Sequence, residues 1–206
     1  MKDSELKKAK KILENCPLGL EELNNFLESG HVLFFNNNDK KIEKEIDKSF
    51  LVVKHYFPLH LHSSLLYFLG ELSDNISQHS KYSNGALVLS YDKESKIGEI
   101  LVVDDGASIP GVFEQNSIAF KDDAEAIGIA MKGKSTKIEE GRGFGLPSTK
   151  KLVEKGLKGK LVIASRDGAY KSDEEFSRFP KSFKGTVIYV KFKNSGESLN
   201  IYEYLE

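Results

Sequence analysis

The chain has 206 residues, 39% apolar and 30% charged, which suits one large globular domain or a domain with an appendage and argues against global disorder. Its 30 basic and 31 acidic residues leave a formal net charge of −1, so no charge excess directs it to nucleic acid or to an anionic membrane. The single cysteine, Cys16, excludes an intrachain disulfide and a cysteine-rich metal site. No apolar run approaches the roughly 20 residues that cross a bilayer. The start, Met-Lys-Asp-Ser-Glu-Leu-Lys-Lys, lacks the apolar stretch of a secretory signal, so the cytoplasm is the expected location.

Residues 3–15 are expected to be helical. Leu6, Ala9, Ile12 and Leu13 recur at helical spacing, lysines cover the other face, and Pro17 with Gly19 stops the helix. A second short helix over residues 20–28 ends at Gly30. Residues 31–35 are β-prone, and Asn36-Asn37-Asn38-Asp39 turns the chain. Charges alternate through residues 40–48, the pattern of an exposed helix. No chemistry attaches to residues 1–55, which read as an N-terminal extension of unknown role.

A long amphipathic helix is predicted over residues 59–79, with Pro58 near its start, where proline is tolerated. Residues 86–91 and 98–103 read as two strands of an antiparallel hairpin turning at 92–96. Residues 111–140 are irregular apart from a short helix over 122–131. They end in a polar stretch holding Gly133, Lys134, Ser135, Thr136 and Lys137. So long a connection is uncommon unless it is functional or disordered, so it reads as a mobile lid. A helix over 147–155 and strands over 160–165 and 185–192 follow, with 168–183 a hairpin or loop and 194–206 a tail.

Three stretches carry candidate chemistry. In the first, Glu71, Asn75 and His79 recur every four residues, a slowly turning polar line beside the apolar stripe of Leu65, Phe68, Leu69, Leu72 and Ile76. A carboxylate and an amide at the rim of a core are well placed to hold a metal ion and a water. In the second, a strand ends in Asp104-Asp105-Gly106-Ala107-Ser108-Ile109-Pro110. In the third, Gly141-Arg142-Gly143-Phe144-Gly145-Leu146 opens a helix, where backbone amides favour an anion such as phosphate. The glycines lack dinucleotide spacing and do not follow a strand, and there is no G-x-x-x-x-G-K-[ST], so the two common nucleotide loops are excluded.

In this order the stretches resemble the GHKL superfamily, the ATP-binding domains of gyrase, the heat-shock chaperone, histidine kinases and the mismatch-repair ATPase. Glu71-x-x-x-Asn75 is similar to the N box, Asp104 to Pro110 to the first glycine box, and Gly141 to Leu146 to the second. Gly185-Thr186 matches the weaker final motif. The resemblance spans residues 56–193 as one ATP-binding domain. It implies an α/β (α+β) fold of Bergerat type: a two-layer sandwich with a mixed, largely antiparallel sheet and helices on one face.

The resemblance also implies roles. Asp104 would accept from the adenine amino group, selecting ATP over GTP, with Gly106 admitting the base, Ser108 beside it and Thr186 supporting it. Asn75 would ligate Mg²⁺. Gly141, Arg142, Gly143, Phe144, Gly145 and Leu146 would wrap the phosphates, with Lys134 and Lys137 available to neutralise charge. Glu71 would be the catalytic general base, orienting a water for hydrolysis or an acceptor for phosphoryl transfer.

The departures are Ser108, in place of the second glycine of the first box, and Asp105, in place of the usual Asn. None of His31, His55, His60, His62 and His79 is followed by an acid, so no phosphoacceptor histidine of the familiar kind is present. The expectation is a freestanding domain similar to the anti-sigma-factor serine kinases. It would pass phosphate to a protein partner, hydrolyse ATP slowly, or act as an ATP-gated binding module without turnover. A homodimer through the N-terminal segment is left open.

Overall fold

The computed structural model describes residues 2–14, 20–38, 42–133 and 145–204. Five strands form one sheet: β1 His31–Asn36, β2 Asn84–Asp92, β3 Ile97–Asp104, β4 Lys160–Lys171 and β5 Glu175–Lys193, in the order β1-β2-β3-β5-β4. Every pairing among the described residues is antiparallel, so the mixed component expected of the sheet is not seen there. Strict alternation builds it. Leu87, Leu89, Ile100, Val102, Ile188 and Val190 point to one face, and Ala86, Val88, Leu101, Val103 and Val187 to the other.

The first face is packed by a layer of helices, giving an α/β two-layer sandwich. The layer holds α3 Ile42–Tyr56, α4 His62–Asn75, α5 Ile109–Gln115, α6 Asp123–Met131 and α7 Gly145–Lys151. Helix α4 supplies Leu65, Phe68, Leu69 and Leu72 to this core, the stripe its spacing predicts. It runs on into a π-helical turn, Ile76–Ser80, and ends at Lys81 in the left-handed region. Helix α7 continues into a second π-helical turn, Leu152–Gly156.

Helices also lie on the other face, so the expectation of helices on one face holds only for α3 to α7. Helix α1, Lys2–Leu13, and helix α2, Leu20–Ser29, bury Ala9, Leu13, Leu23, Phe26 and Leu27 against Val32, Val88, Leu101 and Val103. Phe26 meets Tyr189 edge-on at 6.0 Å between ring centroids. Residues 31–55, expected within an extension, are integrated into the same sheet and core: β1 is an edge strand and α3 buries Ile42, Ile46 and Val53.

Two local readings change. The charged run at residues 40–48 is not simply exposed, because Ile42, Glu45 and Ile46 recur at helical spacing and turn inward. Across the start of the expected lid, 111–140, residues 109–115 form α5, which Ser108 caps by accepting from the Gly111 amide at 3.1 Å. The lid residues 134–140 lie outside the described residues. The stretch 168–183, read as a hairpin or loop, belongs to β4, β5 and the tight turn between them, with a bulge at Arg166. In the tail, Leu199 and Tyr204 pack against the core.

Candidate functional site

Strand β3 ends at Asp104, whose cross-strand neighbours are Gly85 on β2 and Thr186 on β5; Thr186 is in turn opposite Ser165 on β4. By parity with Val102, Ile188 and Ile163, the side chains of Asp104, Thr186 and Ser165 stand on the helix-facing side of the sheet. They form a polar row where the apolar core stops. Asp104 is only 2% exposed. Burial pushes its carboxyl up to about 7, and the Gly106 amide, donating to Oδ1 at 2.8 Å, and the Ser80 hydroxyl pull it partly back.

Two glycines make this end of the sheet buildable. A Cβ on Gly106 would lie 2.2 Å from the Ser80 carbonyl oxygen and 2.7 Å from Asp104 Oδ1. Gly185 has φ +109°, and a Cβ there would sit 1.9 Å from the Asp104 carbonyl oxygen. The two departures in the first box have definite roles. Ser108 takes φ 63° and ψ 157°, a backbone that favours glycine, while its hydroxyl caps α5. Asp105 accepts from the Ser83 amide at 2.7 Å, the Asn84 amide at 2.8 Å and the Asn84 side chain at 3.0 Å, fastening the box to the start of β2.

Helix α4 and its π-helical extension touch both glycine-bearing stretches. At one end the Ser80 carbonyl accepts from the Ala107 amide in the first box. Earlier in the helix, Glu71 Oε2 accepts from the Gly145 amide at 2.9 Å, where α7 begins and Gly145 takes φ +57°. Asn75 is one turn beyond Glu71, partly exposed as the last residue of α4. Leu146 packs at the margin of the helix-layer core. The structure thus places Asp104, Gly106, Ser108 and Thr186 at one end of the sheet and, as a separate contact, sets Glu71 against Gly145, with Asn75 one turn further along α4 and Leu146 at the start of α7. Gly141, Arg142, Gly143 and Phe144, with Lys134 and Lys137, lie outside the described residues.

Sequence reasoning missed Ser165. It is fully buried; its Oγ accepts from the Ile109 amide at 2.9 Å, donates to the Gly185 carbonyl at 2.9 Å and lies 3.1 Å from Thr186 Oγ1. The signal was available: Leu161, Ile163 and Ser165 share one parity, so the strand aims this hydroxyl at the core. Also missed was the Arg166 guanidinium, which takes both Glu114 oxygens at 2.7 and 2.6 Å and lies 3.7 Å from Asp123, joining α5 and α6 to the β4 bulge.

The row suits a base edge that donates. An ionised Asp104 can only accept, and the bare backbone at Gly106 lets the Ser80 turn close against it. No group of three or more His, Cys, Asp or Glu is gathered as a metal cluster among the described residues. Asn75 offers an amide oxygen, a donor type that Mg²⁺ accepts. No helix among the described residues is long and apolar enough to cross a membrane. Comparison with protein-family models finds no match, and comparison with curated proteins finds none either.

Proposed function

We propose that the chain binds Mg·ATP at the Asp104 end of the sheet and, acting in the cytoplasm, passes the γ-phosphate to a protein partner or hydrolyses it slowly. The observation that supports this most is the polar row. A buried carboxylate with a hydroxyl beside it matches what recognition of an adenine amino group needs. Guanine would present a carbonyl oxygen to the same carboxylate and be rejected.

On this reading Asp104 and Thr186 hold the base, with Gly106 and Ser108 shaping the wall. Gly141, Arg142, Gly143, Phe144, Gly145 and Leu146 belong to the phosphate side, and Asn75 holds Mg²⁺, which neutralises phosphate charge. Glu71 orients the attacking water or acceptor hydroxyl as general base.

One observation favours the second reading, an ATP-gated binding module without turnover. The Glu71 carboxylate is already engaged by the Gly145 amide, which gives it a structural use in joining α4 to α7.

Phosphate release from Mg·ATP, with binding followed by calorimetry in the same samples, separates the two. Glu71→Gln retains an oxygen for the Gly145 amide but cannot act as a base. Turnover is expected to fall by about 100-fold or more, with ATP affinity kept. Binding without release in either protein leaves the gated module. Absence of ATP binding in the wild type overturns both.

A further inference from the structure

We propose that Ser165, which lies in none of the motifs, is a positioning residue that fixes the Thr186 hydroxyl as a hydrogen-bond acceptor and thereby makes the site select a base edge bearing an amino group. This rests on the reading of the Asp104 end of the sheet as an adenine site.

The argument is a count of protons. A serine hydroxyl has one hydrogen to give and two lone pairs to offer. The Gly185 carbonyl, 2.9 Å from Ser165 Oγ, can only accept, so it takes the hydrogen. The Ile109 amide, also at 2.9 Å, can only donate, so it occupies one lone pair. Thr186 Oγ1, at 3.1 Å, is then left with a single role: it donates to the remaining lone pair of Ser165. The Thr186 proton is spent inward, and what Thr186 offers the partly exposed side of the row is lone pairs.

Both groups that orient Ser165 are backbone, one at the start of α5 and one in β5. The direction of the hydroxyls is therefore set before any ligand arrives. Burial makes the arrangement binding, because a fully enclosed hydroxyl cannot exchange a lost partner for water. Beside Thr186 stands Asp104, which when ionised is also only an acceptor. Once Asp104 is ionised, two neighbouring acceptors with no donor between them suit an exocyclic amine and oppose a carbonyl oxygen. A free threonine hydroxyl would turn to serve either.

The test compares ADP with inosine diphosphate, whose base carries a carbonyl oxygen in place of the amine, by calorimetry on the full chain. The wild type is expected to prefer ADP by about tenfold or more. In Ser165→Ala the preference should shrink by about fivefold, the worth of one oriented hydrogen bond, mainly because inosine diphosphate binds better relative to ADP. Ser165→Thr, which keeps the hydroxyl, should restore it. Thr186→Val should shrink the preference similarly, and the double variant should shrink it no further than either single change.

A general loosening of the site would weaken both nucleotides together and leave the ratio alone. That result, or a ratio unchanged with both affinities intact, overturns the role of Ser165 while leaving the adenine site standing. A wild type that binds neither nucleotide overturns the adenine site, and this inference with it. Should Ser165→Ala not fold, Ser165→Cys, of similar volume and weak hydrogen-bonding power, takes its place with the same expected ratio.

Discussion

Two rows of three residues cross the same strands one residue apart. Val103, Val187 and Ala164 are opposite one another on the face beneath α1 and α2, and all three are fully buried. One step along each strand, Asp104, Thr186 and Ser165 are opposite one another on the helix-layer face. The backbone pairing is shared, so the difference lies in the side chains and in what closes over them. The apolar row needs only contact. The polar row needs every lone pair and proton placed, which is why two amides, a carbonyl and two confined glycines crowd around it. In this sheet, chemistry begins where packing ends, and the boundary is one residue wide.

The comparison breaks most completely if the dry row is made polar. Val187→Asp puts a carboxylate under α1 and α2 with none of the partners Asp104 has. A loss of about 4 kcal/mol or more is expected, enough to abolish cooperative urea unfolding followed by circular dichroism. A folded variant of near-normal stability would show that this face admits water.

Next in size is Gly185→Ala. The new methyl would meet the Asp104 carbonyl at 1.9 Å on a backbone with φ +109°, so β5 must move away from β3. A destabilisation of about 3 kcal/mol is expected, and ADP binding should go with it, because Thr186 shifts too. Thermal unfolding and calorimetry read the two effects. An unchanged melting temperature would mean that the strands are looser at this end than their pairing implies.

The smallest effect sharpens the comparison and has the opposite sign. Burial raises the Asp104 carboxyl from 3.8 to about 7. The folded protein thus retains a proton that the unfolded chain releases. Below the unfolded value the group costs nothing. As pH rises toward the folded value stability falls, and above it the loss is constant. Asp104→Asn removes that titration. The variant should therefore match the wild type near pH 4 and exceed it by on the order of 2 kcal/mol near pH 8, less than the full titration cost because a buried amide brings an N–H₂ to satisfy. Urea curves across that range measure the gap. A gap that closed with rising pH would mean that Asp104 is ionised and paired in the folded state.

Much of the sheet was legible because strands buried on both faces read as short runs of β-forming residues bounded by turns, as in residues 84–92 and 97–104. The long helix was legible from its stripe, which points at one core. What was not legible depended on partners distant in sequence. Nothing in residues 3–15 says which surface the helix covers, and only the opposing Val88, Leu101 and Val103 decide it. Helix α5 was obscured by Pro110 and Gly111, residues that discourage a helix in its interior but are tolerated in its first turn. The outer part of β5 was obscured by polar side chains, such as Arg178, which reaches Asp167 on β4. In the candidate site, Asp104 and Gly106 could be read as a motif, whereas Ser165 acts through three long-range bonds, and no local pattern announces those.

The order of strands in the sheet differs from their order in the chain, and this bears on how the molecule is made. β5 is the last strand to be synthesised, yet it is inserted between β3 and β4. A ribosome emitting this chain releases β1, β2 and β3 first. β3 then waits with one edge unpaired until residue 193 has emerged, a delay on the order of ten seconds. Throughout that interval Leu101, Val103 and their neighbours line an open strand edge of the kind that recruits other chains. The nascent chain is thus most in need of a chaperone in the window between its third and fifth strands, and a stalled or slowed ribosome there would favour aggregation over folding.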